Sequence, residues 1–508
     1  MLGRRYRGGR SGWGEWGMAA IGVVLVLLVL LFCWWAFHGS IFAVLRTVWA
    51  SSMWKALIVL VVLAGVGALV DAERERHLLG AGTLILVGVV VLPCLGVWGG
   101  YFRAHQLSES IVVTDDAQPE YQWRTPWAVA ASAVTSRAGS VVGTFEEDAT
   151  TFLPATGGYV TPVRAKGWVK GFDQIVVQTP GENGENAVKV CDFDAQVPVA
   201  RGWFQYNLRR ALSFVGGDLM ADPGDVWAYC EGSQARMVVP VTRYTGFPEQ
   251  HEVPAGVVVF DGDSAVLDKD VKAGELPGPV YPMSLAAKQR EASHAQTGFM
   301  DRLFRRSGYE TVGKAGEGPD AGNESELLLR RTNSVRWDFV TGLTPRGTST
   351  SVTAVSTMPA DEVHDGKLNT LTVHRMAKDK VRQGNAALAN AIIAAFPQLN
   401  WNANQLTLKE VAPTSSGTWT ASITKTTTVT RLVEIAEDGA MCLTYTNGDQ
   451  IDCADAGGNS ENDPADEEGR GPSGEDLEDL EGLSNEELAE LQRQIADEFV
   501  RRLEADGE

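Results

Sequence analysis

The chain has 508 residues, 44% of them hydrophobic, and a formal net charge of −20, a length that leaves room for two or three domains. The charge is uneven, because residues 455–508 hold 19 acids against four arginines. The long region after residue 104 shows no concentration of Lys and Arg of the kind that phosphate backbones require, which excludes nucleic acid as the expected partner.

Residues 1–17 carry Arg4, Arg5, Arg7 and Arg10 and read as a basic cytoplasmic amino terminus. Met18–Phe37 is an uncharged apolar run of about the ~20 residues that cross a ~30 Å hydrocarbon layer. Ala56–Val70, lengthened by Met53 and Trp54, and Leu78–Trp98 read as two further spans, so residues 18–104 are expected to be three transmembrane α-helices. Trp13, Trp16, Trp34, Trp35, Trp54 and Trp98 lie near the span ends, where indoles prefer the headgroup level. A cleaved signal peptide is the alternative for the first run, but no small-residue cleavage site follows it. The four amino-terminal arginines with Arg74 and Arg76, against Arg46, Lys55 and Arg103, predict a cytoplasmic amino terminus and an extracytoplasmic remainder. The expectation is a multi-pass protein of the cytoplasmic membrane, with the lipid bilayer as one partner.

Residues 105–310 read as a first extracytoplasmic, β-rich domain, with short Val-, Thr- and aromatic-rich runs bounded by Gly, Pro and Asn. Ile175–Thr179, the turn Pro180–Gly184 and Ala187–Phe193 predict one hairpin; Val226–Cys230 with Arg236–Thr242 predicts another. Cys191 and Cys230 would then bridge neighbouring hairpins, since disulfides persist in an oxidising compartment. Val257–Phe260 followed by Asp261-Gly262-Asp263 is a strand and tight turn. A helix is predicted over 284–306, after the Pro277-Gly278-Pro279 and Pro282 breakers. Residues 311–325, rich in Gly, Glu and Asn, read as a linker and domain boundary.

Residues 326–454 read as a second, α+β domain: strands near 335–340, 351–356 and 368–374, a helix near 378–396, and strands near 405–411, 418–425 and 429–435. That order favours an antiparallel sheet packed by one or two helices. In Cys442–Cys453 the Asn447-Gly448 pair predicts a two-residue hairpin turn. Cys442 then faces Cys453 in a hydrogen-bonded pair with Cα atoms ~5.5 Å apart, inside the ~4.4–6.8 Å disulfide window.

Residues 455–483 are an acidic stretch expected to be disordered. Residues 484–508 predict an amphipathic helix opened by a Ser484/Glu487 capping box. Its apolar stripe of Leu488, Leu491, Ile495, Phe499 and Leu503 is the candidate partner-binding surface, free to dock on its own domain, self-associate or take another protein.

The chemistry motifs are absent: no G-x-S-x-G elbow, no phosphate-binding G-x-x-x-x-G-K-[ST] loop and no H-E-x-x-H. His251-Glu252 has no second histidine at i+4, and Pro254 would break the helix that a zinc site needs. Asp261, Asp263, Asp268 and Asp270 crowd like a calcium loop but lack its spacing and its closing Glu. No catalytic, metal or cofactor-binding residue is assigned. The whole arrangement of basic amino terminus, spans, disulfide-bearing β-rich outer region and acidic tail, with Ala-, Gly- and Val-rich usage, resembles multi-span membrane proteins of actinobacteria, their plasmids and their phages. The resemblance transfers no functional residue.

The expected function is therefore a non-enzymatic, membrane-anchored extracytoplasmic scaffold or binding protein, as a component of a secretion, conjugation or phage-encoded envelope complex. Its partners would be an envelope protein or a second copy, met through the outer domains or the terminal helix. An envelope enzyme with a fold-assembled active site and a solute or signal receptor are the alternatives. An enzyme requires a polar pocket with convergent titratable groups, a receptor an apolar cleft, and a scaffold flat or grooved surfaces.

Overall fold

The computed structural model describes residues 21, 23–32, 41, 45–46, 48 and 97–454, the last apart from 140, 180–186, 247–248, 301–303, 305–306, 313–326, 348–350, 378–380 and 447. The chain divides into two units, Met1–Ala456 and Gly457–Glu508, and only the first contains described residues. The acidic stretch and the stripe Leu488, Leu491, Ile495, Phe499 and Leu503 lie outside them.

The expectation of three transmembrane helices, and with it the multi-pass placement in the cytoplasmic membrane, is corrected. Among the described residues no helix is long and apolar enough to cross a membrane. Of the first expected span, the described residues 21 and 23–32 are helical. The second expected span, and the third apart from residues 97 and 98, fall outside the described residues. What the structure shows instead is a β-rich body with short helices, and its two disulfides point to an oxidising compartment.

A helix over 97–108 leads into β1 (Ile111–Thr114) and then α1 (Trp127–Arg137). Nine strands follow: β2 (Thr144–Phe145), β3 (Thr151–Leu153), β4 (Gly158–Arg164), β5 (Phe172–Thr179), β6 (Ala187–Val197), β7 (Trp227–Glu231), β8 (Gln234–Thr245), β9 (His251–Phe260) and β10 (Ala265–Asp268), with α2 (Leu208–Val215) between β6 and β7. They form one sheet in the order β10-β9-β8-β6-β5-β4-β2, with β3 also on β4 and β7 also on β8. The Val-rich centres of β8 and β9 are buried at consecutive positions, as expected of strands covered on both faces. Pro254 sits on β9 where the register shifts against β8, so His251-Glu252 begins a strand and not a zinc-binding helix.

A short β11 (Asp270–Val271) and α3 (Met283–Glu291) connect to a second sheet, built from β12 (Tyr309–Thr311), β13 (Leu327–Arg330), β14 (Trp337–Pro345), β15 (Ala354–Pro359) and β17 (Leu371–Arg375); β16 (Val363–His364) leaves it to pair with β11. The order is β1-β17-β15-β14-β12, with β13 also on β14. β1 joins β17 in parallel, bringing Ile111 beside Leu371. The helix expected over 284–306 is interrupted: α3 passes into a 3-10 turn over Ala292–Ala295, where the Ser293 hydroxyl exchanges hydrogen bonds with the backbone of Tyr309 on β12. Gly298, with φ of 122°, separates that turn from helical residues 299 and 300. After α4 (Asn385–Ala395), β18 (Leu406–Pro413), β19 (Trp419–Lys425), β20 (Thr428–Ile435), β21 (Met441–Thr444) and β22 (Gln450–Ala454) form a five-stranded meander.

Strand alternation makes the second sheet the middle layer. Trp337, Phe339 and Leu343 of β14, with Ala354 and Met358 of β15, join the core under the nine-stranded sheet. Val340 of β14 and Val355 of β15 join the core under α4 and the meander, with Leu388, Ile392, Leu408 and Trp419. Neighbouring residues of a strand point to opposite faces, so one sheet supplies both interiors. The expected divide at 311–325 does not separate the cores, because β12 before it and β13 after it both pair with β14.

Both disulfides are present. Cys191 on β6 and Cys230 on β7 have Cα atoms 6.0 Å apart. Cys442 and Cys453 face one another across β21 and β22 with Cα atoms 4.1 Å apart, the spacing of a narrow, non-hydrogen-bonded pair and not the wide pair expected. The difference lies in the turn: the register shifts after Leu443, and Tyr445 N–H donates to the Asp449 carbonyl, so the loop is longer than two residues.

Candidate binding pocket

A cavity of about 340 Å3 opens between the nine-stranded sheet and the middle sheet, walled by residues from β3, β8, β13, β14 and the segments on either side of α3's start. Trp127, Phe152, Trp227, Tyr281 and Phe339 give it aromatic walls. The Trp227 indole N–H donates to the Pro279 carbonyl and that of Trp127 to the Thr150 carbonyl, both at 2.6 Å. Their donors are thus consumed by backbone, and the rings contribute apolar surface to the cavity. Gly278 is required beside them, since a Cβ there would lie 2.9 Å from the Trp227 ring.

One buried carboxyl lies in this wall. Asp222-Pro223-Gly224-Asp225 folds as a 3-10 turn, capped by the Asp222 side chain accepting from Gly224 N–H. The turn delivers Asp225 to the start of α3, where its Oδ1 accepts from Ser284 N–H at 2.9 Å and its Oδ2 from the Ser284 hydroxyl at 2.6 Å. Helix amino termini favour a negative charge. Here burial outweighs that help, and the carboxyl is pushed up to about 7 against the Ser284 hydrogen bonds that pull it down.

Beside it a buried ionic clasp ties the layers together. Arg124 and Glu410 meet at 3.2 Å with side chains only 6% and 5% exposed. Glu410 stands at a bulge of β18 with φ of 44°, and bulges re-aim side chains. Its other oxygen accepts from Trp127 N–H at 2.6 Å, satisfying one of the donors that α1 leaves unpaired at its first turn. Arg124 also donates to the Tyr159 hydroxyl, which donates to the Thr125 carbonyl, and its guanidinium lies 5.3 Å from the Phe152 ring centre. Burial drives the Tyr159 hydroxyl well above the usual tyrosine range. Arg124's charge is therefore matched by Glu410, and the polar character left to the cavity is acidic: buried Asp225, with Asp148 also on the lining.

None of these residues was a candidate in the sequence. Cys191, Cys230, Cys442 and Cys453 are brought together as disulfides but away from the cavity lining. Asp261 organises its own turn, accepting from Asp263 and Ser264 N–H and pairing with Arg236 at 3.0 Å. Among the described residues no group of three or more His, Cys, Asp or Glu side chains is placed to hold a metal ion. One signal for the site was legible: Leu406 and Leu408 alternate inward on β18, and the next inward position is occupied by Glu410, a charge where the pattern asks for an apolar residue.

The chain matches no protein-family model, no curated protein and no solved structure.

Proposed function

We propose that the protein binds a small organic ligand, and that the ligand is a compact amine with an apolar or aromatic body. The observation that carries this reading is a cavity of about 340 Å3 whose wall combines five aromatic side chains with the buried carboxyl of Asp225. That volume falls at the lower end of the ~300–1,000 Å3 range of small-molecule sites, which are mostly apolar with a few placed polar groups. Aromatic faces attract cations, and a carboxylate offers the ion pair that fixes the amine's position. The lining cation, Arg124, already faces Glu410, so it does not compete for Asp225.

This reading takes the receptor alternative over the scaffold, since a scaffold has no need of a walled cavity. It takes it over the enzyme because the lining presents one buried acid, without a base and nucleophile arranged around it. The test is calorimetric titration at pH 8 with size-matched aromatic amines, alcohols and carboxylates. Amines should bind at least tenfold more tightly than the matched alcohols, and Asp225→Asn should remove that preference while leaving a weak apolar affinity. Equal affinity for amine and alcohol, unchanged by Asp225→Asn, would sink the reading.

A further inference from the structure

We infer that one end of the nine-stranded sheet, formed by the loops 165–171 and 198–209, docks on an anionic lipid surface. The two loops are brought together by backbone pairing: Phe172 at the start of β5 lies opposite Val197 at the end of β6. Ala165 N–H donates to the Gly171 carbonyl and Val199 N–H to the Tyr206 carbonyl, closing each loop on itself. Gly171 seats one loop against the other, since a Cβ there would meet the Val197 carbonyl oxygen at 2.1 Å and the Tyr206 ring at 2.8 Å.

The tips carry two indoles in water, Trp168 at 97% and Trp203 at 61% exposure. Around them Lys166, Lys170, Arg201 and Arg209 are all exposed. Residues 163–172 and 197–217 contain no Asp or Glu, in a chain with 64 acids and 44 basic residues; Asp173 and Asp218 mark the borders. The concentration of cations is invisible along the sequence because it is split between two segments that only the fold joins.

Exposed tryptophan is costly in water and favoured at headgroup depth, where its ring is amphipathic. Lysine and arginine around it are drawn to a negative lipid surface and lose that attraction within a Debye length. A single-stranded nucleic acid also takes aromatic and cationic side chains, but along a groove that tracks its backbone. Here the indoles stand on loop tips, which suits insertion into an interface. Such a contact is peripheral and needs no membrane-crossing segment.

The test is flotation of the full chain with vesicles of phosphatidylcholine alone or with three tenths phosphatidylglycerol. Binding should be at least tenfold greater to the anionic vesicles at 0.1 M salt and be lost at 0.5 M. Lys166→Glu/Lys170→Glu/Arg201→Glu should reduce it at least tenfold, and Trp168→Ser/Trp203→Ser at least threefold, with the thermal transition unchanged because all five side chains are exposed. Equal flotation on neutral vesicles would overturn the proposal. So would flotation unaffected by either variant, or tight binding of a single-stranded oligonucleotide that the charge reversals abolish while vesicle binding is absent.

Discussion

A carboxyl held in an aromatic wall changes how the whole molecule responds to pH. Asp225 has its folded pKa raised from 3.8 to about 7, so the fold takes up its proton more readily than the unfolded chain does. Its contribution to stability is complete below about 3.8, declines as pH rises through that window, and is gone above about 7. The swing is on the order of 4 kcal/mol for a shift of that size. Urea unfolding of the wild type and Asp225→Asn at pH 5 and pH 8 should show wild-type stability falling with pH relative to the variant by a few kcal/mol. Parallel pH profiles would mean that Asp225 is not protonated in the fold. Amine binding should move the other way over the same interval, tightening as pH rises and the carboxyl ionises, so a ligand and a proton compete for one side chain.

At the scale of elements, the two disulfides close loops of different length in different surroundings. Cys191 is fully buried and its bridge spans a separation of 39 residues, whereas Cys442–Cys453 spans 11 on the exposed last strand of the meander. Loop-closure entropy assigns about 4 kcal/mol to the first and about 3 kcal/mol to the second. Thiolate attack needs access to sulfur, so graded dithiothreitol should release Cys442 and Cys453 first and Cys191 and Cys230 only as the fold opens. Alkylation followed by peptide mapping distinguishes the order; simultaneous release would show that the first sheet opens as easily as the terminal hairpin. Local signals of this kind were legible from sequence: the pairings Cys191–Cys230 and Cys442–Cys453, the Asp261-Gly262-Asp263 turn, and the strands of the meander all rest on residues within a dozen or so positions, or on neighbouring hairpins. The cavity was not legible, because Arg124, Phe152, Asp225, Tyr281, Phe339 and Glu410 are spread over nearly three hundred positions and no spacing rule relates them. Apolar composition misled in the opposite direction over 18–104, where hydropathy states that a run avoids water but not that it crosses a membrane.

The middle sheet decides how the described body behaves as a whole. It takes β1 from before the nine-stranded sheet and β12 to β15 and β17 from after it, and its two faces fill two cores. A chain cut within 313–326 leaves β12 on one piece and both β13 and β14 on the other, with Trp337, Phe339, Leu343 and Met358 stripped of the core they share with β8 and β9. Burying an aromatic or large aliphatic side chain is worth about 1.5–3 kcal/mol, so exposing these four costs an amount comparable to the ~5–15 kcal/mol that holds a typical domain together. Residues 326–454 produced alone should therefore lack near-ultraviolet dichroism and bind a hydrophobic dye. Co-production with 97–325 should restore both the dichroism and a single cooperative transition. A sharp transition for 326–454 in isolation would show instead that the meander and α4 suffice to fold the middle sheet, and that the expected boundary at 311–325 is a true one.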